Sequence, residues 1–139
     1  MLDEPMAAAY VTGLLYFLLV FTFAFATGVA KVLVVAPRLG LTAAVLLEVP
    51  LLVVASWIVA RRLLRNRPLT LPQRAAMGAI AFALTMVSEA ALAAIMRGQG
   101  LAEWAAAVAT PLGLVGLSGQ LAFAAMPIFA GHRRGADAR

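Results

Sequence analysis

Residues 41–60 read LTAAVLLEVPLLVVASWIVA, and Glu48 is the one charged side chain among them. A run of about 20 predominantly apolar residues has the length that an α-helix needs to cross about 30 Å of hydrocarbon. An ionisable side chain inside such a run costs free energy unless it faces a partner or water. The stretch therefore predicts a membrane-spanning helix that carries a carboxyl group within the membrane.

The composition of the whole chain has the same character. Of 139 residues, 64% are hydrophobic and 12% are charged, whereas soluble domains are about half apolar and a quarter charged. The net charge of +5 does not indicate nucleic-acid binding, because the arginines lie in short segments next to apolar runs. The absence of cysteine excludes disulfides and cysteine-ligated metal centres. We expect an integral membrane protein in a lipid bilayer, without nucleic acid, metal or cofactor.

Three further apolar runs accompany residues 41–60, and they cover residues 7–36, 75–96 and 104–129. The first run follows an acidic N-terminus, has no cleavage motif after it and ends before Pro37 and Gly40, so it indicates a retained helix and then a turn. The sequence predicts an all-α bundle of four transmembrane helices in a single domain, 1–139.

Basic residues in the connections, in the tail and near the ends of the runs predict the orientation of the bundle. The connection 61–74 and the tail 130–139 carry eight of them, and three lie at the opposite ends of the helices. By the positive-inside rule, the connection, the tail and both termini face the cytoplasm. The preference for arginine over lysine is typical of a GC-rich bacterium, so we expect the bacterial inner membrane. The first group is Arg61, Arg62, Arg65, Arg67, Arg74, Arg133, Arg134 and Arg139, and the second is Lys31, Arg38 and Arg97.

Three charged side chains are expected at one depth of the membrane. Glu48 and Glu89 each lie seven residues inside the outer end of their runs, which corresponds to about 10 Å at 1.5 Å per residue. Lys31 lies at a similar or shallower depth in the first run. Supporting polar side chains are expected from Thr27, Thr85, Ser88 and Gln120, with Gln120 placed deeper, in the cytoplasmic half.

Two interpretations of these charges stay open. In the first, Lys31 forms a structural salt bridge with Glu48 or Glu89, and the remaining acid is protonated or hydrogen-bonded. In the second, Glu48 and Glu89 form a proton- or cation-binding site that Lys31 modulates, because two carboxylates close together in a low dielectric cannot both ionise cheaply. The first interpretation predicts an accessory or assembly subunit, and the second a small proton- or cation-coupled transporter or channel-like protein.

The fourth run is rich in small residues. Gly113, Gly116 and Gly119 recur at every third position, a pattern that lets helices approach closely, either within the bundle or across an oligomer. Pro111 is expected to kink or unwind this helix at the depth of the glutamates. We expect self-association or a membrane partner protein.

Nucleotide-binding and hydrolase motifs are absent from the sequence, and its six acids do not cluster with a histidine. We therefore expect no enzymatic activity.

The stretches VLVVAPRLGLTAAVLLEVP (32–50), Ser56-Trp57 and LSGQLAFAAMP (117–127) resemble recurring stretches of a family of short bacterial four-span inner-membrane proteins. That family is uncharacterised. The resemblance implies a four-span fold and adds no function.

Overall fold

The computed structural model describes residues 4–131, apart from the side chain of Pro5, and these residues form helices and no strand. Helix α1 consists of Glu4–Ala30, a π-helical turn, Lys31–Val35, and a last α-helical turn, Ala36–Leu39. The later helices are α2 (Leu41–Asn66), α3 (Leu71–Arg97), the short α4 (Leu101–Val108) and α5 (Pro111–Ala130). Helices α1, α2, α3 and α5 are long and apolar enough to cross a membrane, which confirms the all-α, four-span fold.

The two ends of the bundle have different connections. At one end, which we call the glycine end, Gly40 precedes α2 with φ +87° and Gly98 closes α3 with φ +64°, backbone conformations that suit residues without a Cβ. At the opposite end, the arginine end, Thr70 and Gln73 form a capping box that begins α3, with the Thr70 N–H donating to Oε1 of Gln73 at 2.8 Å.

The long helices are arranged so that α1 packs against α2 and α3, and α5 packs against the same two helices. Helices α2 and α3 follow one another in the chain but occupy opposite corners of the bundle. Close approach is possible because glycines face backbone: Gly13 of α1 lies against Met77 of α3, and Gly78 of α3 lies against the carbonyl oxygen of Ala124 in α5.

The close-packed core lies in the half of the bundle nearer the arginine end. Tyr16 crosses the centre from α1, and its ring stacks on Phe123 of α5 with a centroid distance of 4.5 Å. Its hydroxyl donates to the carbonyl oxygen of Phe123 at 2.6 Å. Proline has no N–H to offer the carbonyl four residues earlier, so Pro127 removes that helical donor from Phe123, and the Tyr16 hydroxyl takes its place. The other core residues are Phe17, Val20, Ala60, Leu64, Met77 and Ala81.

Three expected boundaries differ from the structure. The turn expected at Pro37 and Gly40 occurs at Gly40 alone, because the π turn accommodates Pro37 inside α1, which continues to Leu39. The connection at the arginine end comprises residues 67–70 and not 61–74, because α2 continues through its arginines to Asn66. The fourth span begins at Pro111 and not at residue 104, because residues 101–108 form the separate helix α4. Thr110 is the N-cap of α5, its side chain accepting from the Gly113 N–H at 3.1 Å, and Pro111 takes the first helical position.

The structure fits a multi-pass membrane protein. The orientation, the compartment and the cytoplasmic termini stay predictions, and the tail arginines on which the orientation partly depends lie outside the described residues.

Candidate functional site

Each of the four long helices contributes one charged or amide side chain to the same depth of the bundle. These side chains are Lys31 of α1, Glu48 of α2, Glu89 of α3 and Gln120 of α5, and we call them the polar layer. Each lies seven to nine positions from the glycine end of its own helix, counted from Leu39, Leu41, Arg97 and Pro111. At 1.5 Å per residue the polar layer is about 10 to 14 Å from that end, which places it within the apolar spans.

The first half of the polar layer is an ion pair between neighbouring helices. Nζ of Lys31 lies 2.6 Å from Oε2 of Glu48, and the two side chains are 24% and 12% exposed. Oε1 of Glu48 lies against Gly28, 3.8 Å from the position that a Cβ there would occupy. One charge therefore compensates the other directly, and this geometry matches the structural interpretation of Lys31.

The π-helical turn begins at Lys31 itself. The N–H of Ala36 donates to the carbonyl of Lys31, five residues earlier. A proline ring in a helix clashes with the carbonyl four residues before it, and the wider π turn accommodates Pro37 at this place. Such turns are frequent at functional sites. The backbone that presents the ammonium group is therefore the least regular part of α1.

The second half of the polar layer joins an acid to a neutral amide. Nε2 of Gln120 donates to Oε1 of Glu89. Glu89 is half-buried and interacts electrostatically with Lys31 and Glu48, and with Arg97 on its own helix. Lys31, however, is bonded to Glu48 and not to Glu89. Glu89 is thus the carboxyl whose direct partner carries no charge.

The position of Gln120 corrects the expectation that it lies deeper than the glutamates. That expectation counted from residue 104, whereas α5 begins at Pro111, and the later start moves Gln120 to the depth of Glu89. Pro111 likewise does not kink a helix at that depth. It begins α5 at the glycine end.

The expected supporting hydroxyls bond within their own helices. Thr27 donates to the carbonyl of Ala24 at 3.0 Å, and Thr85, which is buried, donates to that of Ala81 at 2.8 Å. Ser88 is half-buried and precedes Glu89. The hydrogen bonds of the two threonines therefore stabilise helices without reaching a carboxyl group of the polar layer.

The three glycines of α5 have different surroundings. A Cβ on Gly113 would meet the carbonyl oxygens of Ala107 and Val108, so this glycine allows the tight return from α4. A Cβ on Gly119 would lie 3.0 Å from Val49 of α2, whereas one on Gly116 would meet nothing within 4 Å. Two of the three glycines are therefore at close contacts inside the bundle, and Gly116 faces open space.

Arg74 is a structural contact that the sequence reasoning did not identify. Its Nη1 donates to the carbonyl of Ile128 at 2.7 Å, in the last turn of α5, where helical carbonyls have no partner and a cation is favourable. A Cβ on Gly131 would overlap the Arg74 side chain. The signal available in the sequence was the glycine directly after the last apolar run, which commonly marks a helix end.

Among residues 4–131, no three His, Asp or Glu side chains come together in a way that would hold a metal ion. The polar layer instead offers one compensated ion pair beside one carboxyl that is bonded to an amide. Such an arrangement is able to exchange a proton, or to bind one small cation.

The fold and the polar layer together define a class: a small four-helix protein with the helix lengths and composition of a multi-pass membrane protein, and a polar layer inside its spans. Comparisons with protein-family models, curated proteins and solved structures find no match to this chain. The resemblance to short bacterial four-span proteins therefore stays a prediction.

Proposed function

We propose that this chain is a small membrane transporter or channel-like protein in which Glu89 binds a proton or a small monovalent cation. The observation that carries the proposal is the pairing in the polar layer: the lysine is bonded to Glu48, and Glu89 is bonded to the neutral side chain of Gln120. An ionisable side chain inside a membrane span is a functional-site hypothesis by default. A carboxyl without a bonded cation is the one that gains most from an incoming cation.

The charged and polar groups around Glu89 support this role. Lys31 and Glu48 face it from α1 and α2 with opposite charges, Gln120 faces it from α5, and Arg97 lies on its own helix toward the glycine end. The charges of Lys31 and Glu48 cancel, so the net charge of the polar layer depends on whether Glu89 carries a proton. Gln120 stabilises either state, since its amide has both donors and an acceptor.

Helix irregularities near the polar layer support movement during such a cycle. The π turn begins at Lys31, and Pro50 lies inside α2, two residues beyond Glu48. Proline and π turns are the usual places where a helix bends. Both irregularities belong to the helices that carry the ion pair, so bending there would alter its position relative to Glu89.

Ion flux into proteoliposomes tests the proposal. Purified protein is reconstituted with a pH-sensitive dye inside the vesicles, a potassium diffusion potential is applied, and proton uptake is measured. Sodium and potassium fluxes are measured in parallel. We expect uptake above that of empty vesicles, at least a tenfold loss with Glu89→Gln, and no loss with Glu103→Gln. Glu103 is the matched control because it is an exposed acid on α4.

Two results would count against the proposal. Correctly folded wild-type protein that carries no proton, sodium or potassium flux would exclude the transport function. Equal losses for Glu89→Gln and Glu103→Gln would show that the flux does not depend on the polar layer. Folding of each variant is checked by circular dichroism and by its elution volume in detergent.

A second candidate function is an accessory or assembly subunit of a membrane complex. The observation in its favour is the short Lys31–Glu48 contact of 2.6 Å, a geometry suited to holding α1 against α2. In this case wild-type vesicles show no flux, and crosslinking in native membranes captures the chain with a partner. Loss of that partner with Lys31→Met but not with Arg38→Met would identify the ion pair as the reason for assembly.

A further inference from the structure

A groove runs along the outside of the bundle between α1 and α2, and the polar layer does not use it. It has a volume of about 390 Å³ and is lined by apolar side chains, among them Leu19, Phe23, Leu51 and Val54. These side chains are between 38% and 56% exposed. Ile58 forms one end of this groove.

A second, smaller groove continues from the first toward the arginine end. It has a volume of about 180 Å³ and shares Ile58 with the first groove, and the rest of its lining is Trp57, Arg61, Arg62 and Arg65. Positions 54, 58, 61, 62 and 65 fall on one face of an α-helix. One face of α2 therefore changes from apolar to basic along its length.

The dimensions of this face match one leaflet of a bilayer. Leu51 and Arg62 are eleven residues apart, about 16 Å along a helix, and half of the hydrocarbon thickness is about 15 Å. Trp57 lies next to the arginines, and tryptophan is enriched at the boundary between hydrocarbon and headgroups. The basic part of the face is thus at headgroup depth when the apolar part lies among acyl chains.

Arg61 and Arg62 form no ion pair with another residue of the part of the chain that the structure describes. Among residues 4–131, the carboxylates are Glu4, Glu48, Glu89 and Glu103, and the one ion pair that the structure shows there is Lys31–Glu48. Arg61 and Arg62 are exposed and lie on one turn of the helix. A guanidinium group matches phosphate oxygens, which it binds through paired N–H donors, and both of these arginines line the groove.

From the continuity of these grooves we infer that the α1–α2 face is a binding site for one anionic phospholipid, with its phosphate on Arg61 and Arg62 and an acyl chain along Leu51 and Val54. A zwitterionic lipid offers the same chains but carries a cation that the arginines repel. A partner helix or a second copy of the chain would fill the apolar part and offer no phosphate to Arg61 and Arg62.

Native mass spectrometry of the purified full chain tests the inference. The protein is titrated in neutral detergent with phosphatidylglycerol, with phosphatidylcholine of identical acyl chains, and with glycerophosphoglycerol, which is the headgroup without chains. We expect phosphatidylglycerol to bind at least tenfold more tightly than phosphatidylcholine, and the chain-free headgroup to bind far more weakly than the lipid. Each arginine near an anionic lipid accounts for about a fivefold change in affinity, so Arg61→Gln/Arg62→Gln should weaken binding about 25-fold.

Two further variants separate the parts of the site. Arg38→Gln/Arg67→Gln removes the same number of charges from positions that do not line the groove and should leave phosphatidylglycerol binding within twofold of the wild type. Val54→Trp fills the apolar groove from an exposed position and should weaken binding of the lipid without changing helix content.

Several outcomes would overturn the inference. Equal affinities for phosphatidylglycerol and phosphatidylcholine would exclude recognition of the anionic headgroup. Tight binding of the chain-free headgroup would mean a phosphate site without a lipid. A dimer that persists without lipid and dissociates with Val54→Trp would mean that a second copy occupies the face. If the two double arginine variants weakened phosphatidylglycerol binding equally, Arg61 and Arg62 would contribute only through the net charge of the protein and not as a binding site.

Discussion

The Lys31–Glu48 ion pair should add little to the free energy of unfolding compared with the same two positions occupied by apolar side chains. Removing only one of its two charges should lower that free energy much more. The side chains are 24% and 12% exposed, so each charge would lose its partner in surroundings that water reaches poorly. An unpaired charge at the centre of a membrane helix costs about 2.5 to 3.5 kcal/mol on the insertion scale. Replacing both charged side chains by apolar ones removes the attraction between them but leaves no unpaired charge inside the bundle.

Removing the acid and removing the base should lower the stability by different amounts. Glu48→Leu leaves Lys31 unpaired, but the long lysine side chain can extend toward the glycine end, so we expect a loss of about 1.5 kcal/mol in the free energy of unfolding. Lys31→Met leaves Glu48 unpaired. The glutamate side chain is shorter and less exposed than that of lysine, so we expect a loss of about 2.5 kcal/mol in the free energy of unfolding. The double variant Lys31→Met/Glu48→Leu should lose less than about 1 kcal/mol, which gives a coupling of about 3 kcal/mol.

Unfolding in mixed micelles measures these values. Sodium dodecyl sulfate is titrated into the protein in mild detergent, and the fluorescence of Trp57 and Trp104 follows the transition. Arg38→Met is the control, because it removes an exposed cation near the glycine end and should change stability by less than about 0.5 kcal/mol. A double variant that is as unstable as the sum of the two single variants would refute the reasoning, since the charges would then be stabilised separately.

Two more predictions use the same unfolding assay. Tyr16→Phe should cost about 1 to 2 kcal/mol, because the buried carbonyl of Phe123 loses its donor. The same change should cost about 0.5 kcal/mol or less in a Pro127→Ala background, where the helix regains an N–H for that carbonyl; equal costs in both backgrounds would contradict this account. Gly78→Ala should destabilise by more than about 2 kcal/mol, because its Cβ would overlap the backbone of α5. Gly116→Ala should change stability by no more than about 0.5 kcal/mol, because a Cβ there meets open space; similar losses for both glycines would show that Gly116 packs against something.

The number and the length of the spans could be predicted because hydrocarbon thickness imposes them. In a bilayer each helix satisfies its own backbone, so hydropathy alone located α1, α3 and the start of α2 to within four residues, whereas α2 continues six residues beyond its apolar run. The start of α5 was missed because residues 101–110 are almost as apolar as a span, and hydropathy does not change at the break. The local signal was Thr110-Pro111, an N-cap followed by proline at the first helical position, and this pair was interpreted as a kink.

The membership of the polar layer was only partly predictable. Counting residues gave the common depth of Lys31, Glu48 and Glu89, because depth depends on the distance to a helix end. Which acid pairs with Lys31 depends on how the helices are rotated and which of them are neighbours, and neither quantity appears in a single sequence. Gln120 was misplaced because its depth was counted from the wrong helix start.

The pairing inside the polar layer has a consequence for synthesis at the ribosome. Lys31 precedes Glu48 by 17 residues, so the cation is already in the nascent chain when the acid emerges. Gln120 follows Glu89 by 31 residues, which at 5 to 20 residues per second is a delay of about 2 to 6 s. During that interval Glu89 has entered the translation product and its amide partner does not yet exist. Helix α5 therefore completes the polar layer, and a chain truncated before α5 would retain an intramembrane acid without its hydrogen-bond donor.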